Sequence, residues 1–347
     1  MITNPTPQRS LRGHHPRRLS GRVAATGEQI ARLAPRLTPR DRWLTHMLYE
    51  HKVLTTDQIT ELAWPTTRAA NFRLLQLYKW RILDRFQPFT TYGSAPMHYV
   101  LDVAGAAVLV REHGLEISDL GYRHEQAIGI AHALRLAHTT GTNGFFTALT
   151  AHSRRPDARG RLTAWWSEAR CHRHFGDIVR PDAYGRWRQP TGEFEWFLEY
   201  DCGTERPADR VGAKLAAYTK LADHTGIATP VLVWTPTAHR EARVRRALTE
   251  AHAALADPRS VPVATTSAEH MADAGLHDPS SAYWLPLDLS EAREQRLRLA
   301  DLGTVWPHLP PLSGTPDDGT AATATAYNRL PPPTPRPPNS RGTHGRR

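Results

Sequence analysis

Arg180, Pro181 and Asp182 are followed, across a turn at Pro190-Thr191-Gly192, by Phe-Leu-Glu-Tyr-Asp at Phe197 to Asp201 and then by Lys214. Successive side chains of a strand alternate between its faces. Phe197, Glu199 and Asp201 therefore share one face, while Trp196, Leu198 and Tyr200 share the other. With Asp182 beside them, this is a carboxylate cluster on a β-hairpin. Convergent carboxylates favour a hard divalent cation such as Mg2+, and a lysine nearby can polarise water or balance charge on a reacting phosphorus centre. Such a set performs phosphodiester hydrolysis, with Asp182 and Glu199 as metal ligands, Asp201 assisting and Lys214 orienting or activating the water.

The lysine has to be brought there by a helix. Over residues 208–222, Val211, Lys214, Leu215 and Tyr218 are spaced by three and four and share a face. Lys214 thus lies along an apolar stripe, where it either snorkels to solvent or meets the hairpin carboxylates. The bland alternative stands beside this one: Asp182 and Glu199 cap or bridge the hairpin, Glu205 starts the next helix, and Lys214 is a snorkelling core lysine.

Around the cluster the pattern alternates. Residues 124–138 and 145–152 read as helix, and Trp165 to Cys171, with Glu168, as strand. Pro230 to Trp234, Val261 to Thr265 and Tyr283 to Leu287 read as further strands, with a basic helix from Thr237 to Leu255 between the first two. This is an α/β core of helices against a mixed sheet. Cys171, His172 and His174 crowd one short segment with no distant second pair, which does not fit tetrahedral zinc spacing.

A separate unit precedes it. Thr38-Pro39-Arg40-Asp41 supplies a capping threonine, a first-turn proline and an acid three residues on, which predicts a helix start. Thr55 with Gln58 predicts a second, ended by Trp64-Pro65. A third opens at Thr66 and runs through Phe72, Leu75 and Tyr78. Two strands follow, Ile82 to Phe86 and His98 to Leu101, around a loop with Gly93. That order predicts an N-terminal winged helix-turn-helix. Its third helix would enter the major groove with Arg68, Asn71, Arg73 and Gln76, since arginine and asparagine pair bidentately with guanine and adenine edges. Lys79, Arg81 and Arg85 lie beyond them, suited to phosphates. Winged helices also dock proteins, so a protein-binding role stays open.

The formal net charge is +10, which favours a polyanionic partner, double-stranded DNA before an anionic membrane. No apolar run is long enough for a membrane span and no secretory signal is visible. Cys171 and Cys202, the 2 cysteines, are too few for a disulfide framework and fit a reducing compartment, so the expected location is the cytoplasm. The expected organisation is a disordered basic arm over 1–37, the winged helix over 38–114, the α/β domain over 115–306 and a disordered proline-rich tail over 307–347.

The hairpin resembles the PD-(D/E)XK nuclease superfamily, whose metal-binding aspartate sits on one strand and whose Glu-X-Lys sits on the next. Asp182 matches the first and Glu199 the second. Asp201 stands where that pattern has lysine. Some members carry the lysine on the following helix, which is the position of Lys214. The resemblance implies a restriction-endonuclease-like α/β fold, active with Mg2+ or reduced to DNA binding. The whole arrangement is also similar to the replication-relaxation family of actinobacterial plasmids and integrative elements, on Arg-Pro-Asp-Ala at Arg180, Phe-Leu-Glu-Tyr-Asp-x-Gly-Thr-Glu at Phe197 to Glu205, then Lys214 and Tyr218. It covers about residues 38–290. It implies a DNA-associated role in plasmid replication, relaxation or mobilisation, with replication or conjugation proteins as partners. The alternative is a non-catalytic regulator or replication accessory whose second domain is a docking platform.

Overall fold

The computed structural model of the chain describes residues 12–14, 26–90, 93–133, 135–203, 208–273, 278–288, 295–309, 312 and 330–338. The fold is mixed α/β, and the chain divides into two units: Gln8–Asn143 with Asp318–Arg347, and Met1–Pro7 with Gly144–Asp317.

The first unit opens with β1 (Arg12–His14) and α1 (Gly27–Leu33). The expected disordered arm therefore contains a helix. Thr26 caps it by accepting from the Gln29 amide, and Ile30 and Leu33 are buried. Thr26 followed three residues later by Gln29 has the spacing of a capping box, a signal the arginine-rich composition masked.

α2 (Pro39–His51) and α3 (Thr56–Ala63) both begin on complete capping boxes, Thr38 with Asp41 and Thr55 with Gln58. β2 (Leu54–Thr55) lies between them, and α4 (Thr67–Lys79) follows with Thr66 as its cap. β3 (Leu83–Phe86), β4 (Pro88–Phe89) and β5 (His98–Leu101) come next, and the antiparallel sheet order is β2-β5-β3. β4 pairs with β1. Three helices, then strands that return antiparallel, is the layout on which the winged-helix expectation rests.

The buried stripe of α4 is Ala70, Leu74, Leu77 and Tyr78, and Phe72 is 78% exposed. Phe72, Leu75 and Tyr78 all lie on the expected helix, but only Tyr78 belongs to its buried stripe. Ala70, a weak hydrophobic signal, supplies the first position of the true stripe.

α5 (Val103–Glu112), α6 (His124–Gly129) and α7 (Leu136–His152) complete this part. The division between units falls after Asn143. Ala131 and Leu136 join Val53, Phe86 and Val100 in one apolar cluster, and Asn143 donates to the His51 and Val53 carbonyls at 3.1 and 2.7 Å.

His124 of α6 stands between two buried aspartates. Its Nε2 is 3.3 Å from Asp84 Oδ2 and its Nδ1 is 3.4 Å from Asp102 Oδ1. The hydrogen bond to Asp84 outweighs desolvation, Asp102 adds to it, and the imidazole pKa is raised. A histidine raised in the folded state contributes stability that is complete below its unfolded value, about 6.5, and lost as pH climbs through the folded value. Melting curves taken from about pH 6 to pH 9 should therefore show a loss of stability that His124→Gln flattens. An unchanged slope in the variant would remove His124 as its source.

The second unit is built on a six-stranded sheet of order β11-β10-β9-β8-β7-β6. β6 (Arg161–Ser167), β7 (Ala183–Gln189) and β8 (Gly192–Tyr200) form an antiparallel meander, and β9 (Val231–Thr235) and β10 (Val263–Ser267) run parallel to β8. β11 (Leu285–Pro286) closes the edge antiparallel to β10. Between the strands lie α8 (Glu168–Phe175), α9 (Ala208–Thr225), α10 (Ala238–Ala253) and α11 (Ala268–Asp273), and α12 (Leu302–Val305) follows the sheet. Residues 168–171 are helix rather than the expected strand, because Ser167 caps them by accepting from the Arg170 amide.

Phe197, Val231 and Val233 on one sheet face join Leu215 and Tyr218 of α9 and Val244 and Leu248 of α10 in a single core. The other face stacks aromatic rings: Phe146 of α7 lies on Trp165 and Trp196, and Phe145 packs edge-on to Trp234. Among the described residues, no helix is long and apolar enough to cross a membrane.

Candidate functional site

The antiparallel register pairs Ala183 with Leu198, so Asp182, one step beyond the end of β7, falls beside Glu199. The Asp182 amide donates to the Leu198 carbonyl at 3.1 Å, and its Oδ2 accepts from the Tyr200 amide at 2.8 Å. Both carboxylates are sunk in the fold, Asp182 at 8% and Glu199 at 5% exposure.

α9 crosses over this end of the hairpin and presents two groups a helical turn apart. Lys214 Nζ donates to Glu199 Oε2 at 2.5 Å and to the Arg180 carbonyl at 3.3 Å. Tyr218 donates its hydroxyl to Glu199 Oε1 at 2.6 Å. The lysine thus turns inward to the carboxylates. The tyrosine shares its helix face at i+4, and that spacing was the signal for it.

Burial pushes the Glu199 carboxyl up to about 7, and the Asp182 charge adds to the effect, against Lys214 and Tyr218. Burial alone would lower Lys214, but Glu199 and Asp182 together outweigh it and hold the ammonium above its ordinary value. One cation faces two acids, so both partners rise. Glu168 at the start of α8 also contributes to the field on Lys214. The Tyr218 phenol, raised by burial and then by Glu199, stays protonated and acts as a donor.

Asp201 is a different case. β8 ends at Tyr200, and Arg240 of α10 takes the Asp201 carboxylate from two nitrogens, Nε to Oδ2 at 2.6 Å and Nη2 to Oδ1 at 3.1 Å. The Gly203 amide donates to its Oδ1 at 2.7 Å. The strand alternation that aligned Asp201 with Glu199 stops one residue too early, and the contacts of Asp201 tie β8 to α10. Glu205 lies outside the described residues.

Two carboxylates face one lysine, and the Asp182 charge adds to the burial that raises Glu199. Each ionised carboxylate oxygen can accept two partners, and each Glu199 oxygen has one donor in the hydrogen bonds above. The donor set therefore fits a hard divalent cation held by Asp182 and Glu199.

In the first unit the expected DNA contacts separate. Arg68, Asn71 and Lys79 are exposed on α4. Asn71 and Arg85 line an open groove of about 420 Å³ with Thr56, Asp57, Gln87 and Tyr99. Arg85 also lies over the Tyr78 ring at 4.4 Å. Arg73 is committed elsewhere: Nε donates to Asp41 Oδ1 at 2.9 Å, Nη2 reaches the other oxygen, and Asp41 is fully buried. Arg81, in a left-handed conformation at φ 59°, directs its Nε to Asp102 Oδ2 at 3.5 Å.

The replication-relaxation family profile matches residues 45–236, more than half of the chain. The chain belongs to the replication-relaxation family. The matched span takes in α4, the hairpin of Asp182 and Glu199, and Lys214 on α9, so both candidate surfaces of this replication-relaxation protein lie within it. Comparisons with curated proteins and with solved structures returned no match.

Proposed function

We propose that this replication-relaxation protein acts on the DNA of a plasmid or other mobile element, in its replication, relaxation or mobilisation. The first unit holds duplex DNA as a winged helix, and the second cleaves a phosphodiester in a restriction-endonuclease-like site. The contact of Lys214 with Glu199 carries this reading, because it sets a cation directly on the carboxylate cluster. Mg2+ bound by Asp182 and Glu199 would supply an activated water and charge for the phosphorus centre. Lys214 stays protonated and offers its positive charge to the developing oxyanion. Tyr218 fixes the Glu199 carboxylate by its hydroxyl.

Purified protein is expected to nick supercoiled plasmid with Mg2+ and not with a chelator. Retained DNA binding without nicking under any divalent cation would favour the non-catalytic accessory role, with the second unit as a docking platform for replication or conjugation proteins.

On the first unit, Arg68→Ala should weaken duplex binding and lower the salt slope by about 1. Phe72→Ala should weaken binding with the slope unchanged, since it removes only apolar contact. Arg73→Ala should instead cost about 1.5–3 kcal/mol of stability by leaving buried Asp41 without its guanidinium. Titrations at several salt concentrations, with thermal melts, separate the three. If neither Arg68→Ala nor Phe72→Ala changes affinity, α4 is not the DNA-reading helix.

A further inference from the structure

The composition of residues 307–347 predicts an unstructured tail, yet Leu330–Pro338 is seated on the first unit. The segment reads Leu-Pro-Pro-Pro-Thr-Pro-Arg-Pro-Pro. Proline fixes φ near −65° and drives the residue before it to extended ψ. Six of these nine residues precede a proline, so residues 331–334 are held close to a polyproline II helix before the chain bends at Pro335 and Arg336, and the segment loses little entropy on docking.

Its contacts have the pattern by which such helices are recognised. Leu330, 3% exposed, enters an apolar cluster with Leu109, Val110 and Leu120. Pro333 and Pro335 are buried, while Pro331, Thr334 and Pro338 face solvent. Trp43 of α2 donates its indole Nε1 to the Thr334 carbonyl at 2.8 Å. A polyproline II backbone leaves its carbonyls without internal partners, and an indole donor beside an apolar slot is the usual way to read one. Trp43 is itself 7% exposed. The contact joins residues 291 positions apart, so it is no by-product of local chain geometry.

We propose that the first unit carries a recognition site for proline-rich segments, made by Trp43 and the Leu109, Val110 and Leu120 slot, and that Leu330–Pro338 of the same chain is its resident ligand. A tether on the same chain supplies an effective concentration on the order of 1 mM. A site with a dissociation constant of about 100 μM for the free segment would then be filled in cis about tenfold over empty. The site depends neither on the Asp182 cluster nor on α4, so it stands or falls separately from the DNA reading.

The test uses the full chain with its 10 tryptophans labelled at the indole nitrogen, the Trp43 resonance being identified by its loss in Trp43→Phe. Leu330→Asp combined with Pro333→Ala and Pro335→Ala is expected to shift the Trp43 resonance while leaving most others in place. A synthetic peptide of residues 330–338 should then restore it saturably, and the peptide with alanine at 333 and 335 should not. Unchanged Trp43 in the triple variant would overturn the seating, and failure of the native peptide to restore it would overturn recognition. Sedimentation should give a monomer. A dimer that Leu330→Asp dissolves would overturn the cis assignment in favour of exchange between two copies.

Discussion

Replacing Lys214 by methionine is expected to lower Mg2+-dependent nicking of supercoiled plasmid by at least about 10²-fold, the usual loss when one oxyanion-stabilising donor is removed. Methionine keeps an unbranched side chain on the same face of α9, whose Leu215 and Tyr218 remain in the core, so the helix should stay docked. What disappears is the ammonium that contacts Glu199 Oε2 at 2.5 Å. Lys214 lowers the Glu199 pKa, against the burial and the Asp182 charge that raise it. In the variant that restraint is gone, so Glu199 should need a higher pH to ionise and the residual activity should rise at higher pH than in the native protein. The pH shift distinguishes a charge role from loss of fold, which lowers activity at every pH. Duplex affinity should persist, because the α4 surface is untouched. Nicking at the native rate with the native pH profile would remove Lys214 from the site.

The elements that were legible in the sequence are those whose signals are local. Thr38 with Asp41, Thr55 with Gln58 and Thr66 mark helix starts within three residues, and the structure places α2, α3 and α4 there. The hairpin turn and the alternation of Phe197 and Glu199 against Trp196 were equally readable, since a strand has period two. The misreadings come from competition or from distance. The helix through Phe72 was readable but not which of its sides is buried, and the side of Phe72 is the exposed one. Asp201 kept the strand parity but lay past the last ladder pair, where Arg240, 39 positions on, claimed it. Arg73 met Asp41 from 32 positions away. No local pattern encodes such pairs. The proline-rich tail shows the same limit: composition indicates the backbone it adopts, whereas the partner, Trp43, is visible only once the chain has folded.

The carboxylate site stands on one face of β8, and the opposite face should dominate the stability of the second unit. Trp165, Gly185 and Trp196 are cross-strand neighbours on β6, β7 and β8. Phe146 of α7 lies over them, its ring nearly parallel to both indoles, at 5.2 Å from Trp165 and 6.3 Å from Trp196. Only glycine leaves room for it: a Cβ on Gly185 would come within 2.8 Å of Phe146 Cε1 and 2.5 Å of Trp196 Cζ2. Phe146 is fully buried, and Phe146→Ala should cost about 3–5 kcal/mol by lost burial and the cavity left between rigid rings. At about 2–4 °C per kcal/mol for a unit of this size, the melting temperature of the second unit should fall on the order of 10 °C. The same layer holds β7 against β8, and that register is what brings Asp182 to Glu199. Near-ultraviolet circular dichroism follows these indoles directly during the melt. A shift of less than about 2 °C would mean that the sheet closes without Phe146 and that another contact sets the register of the hairpin.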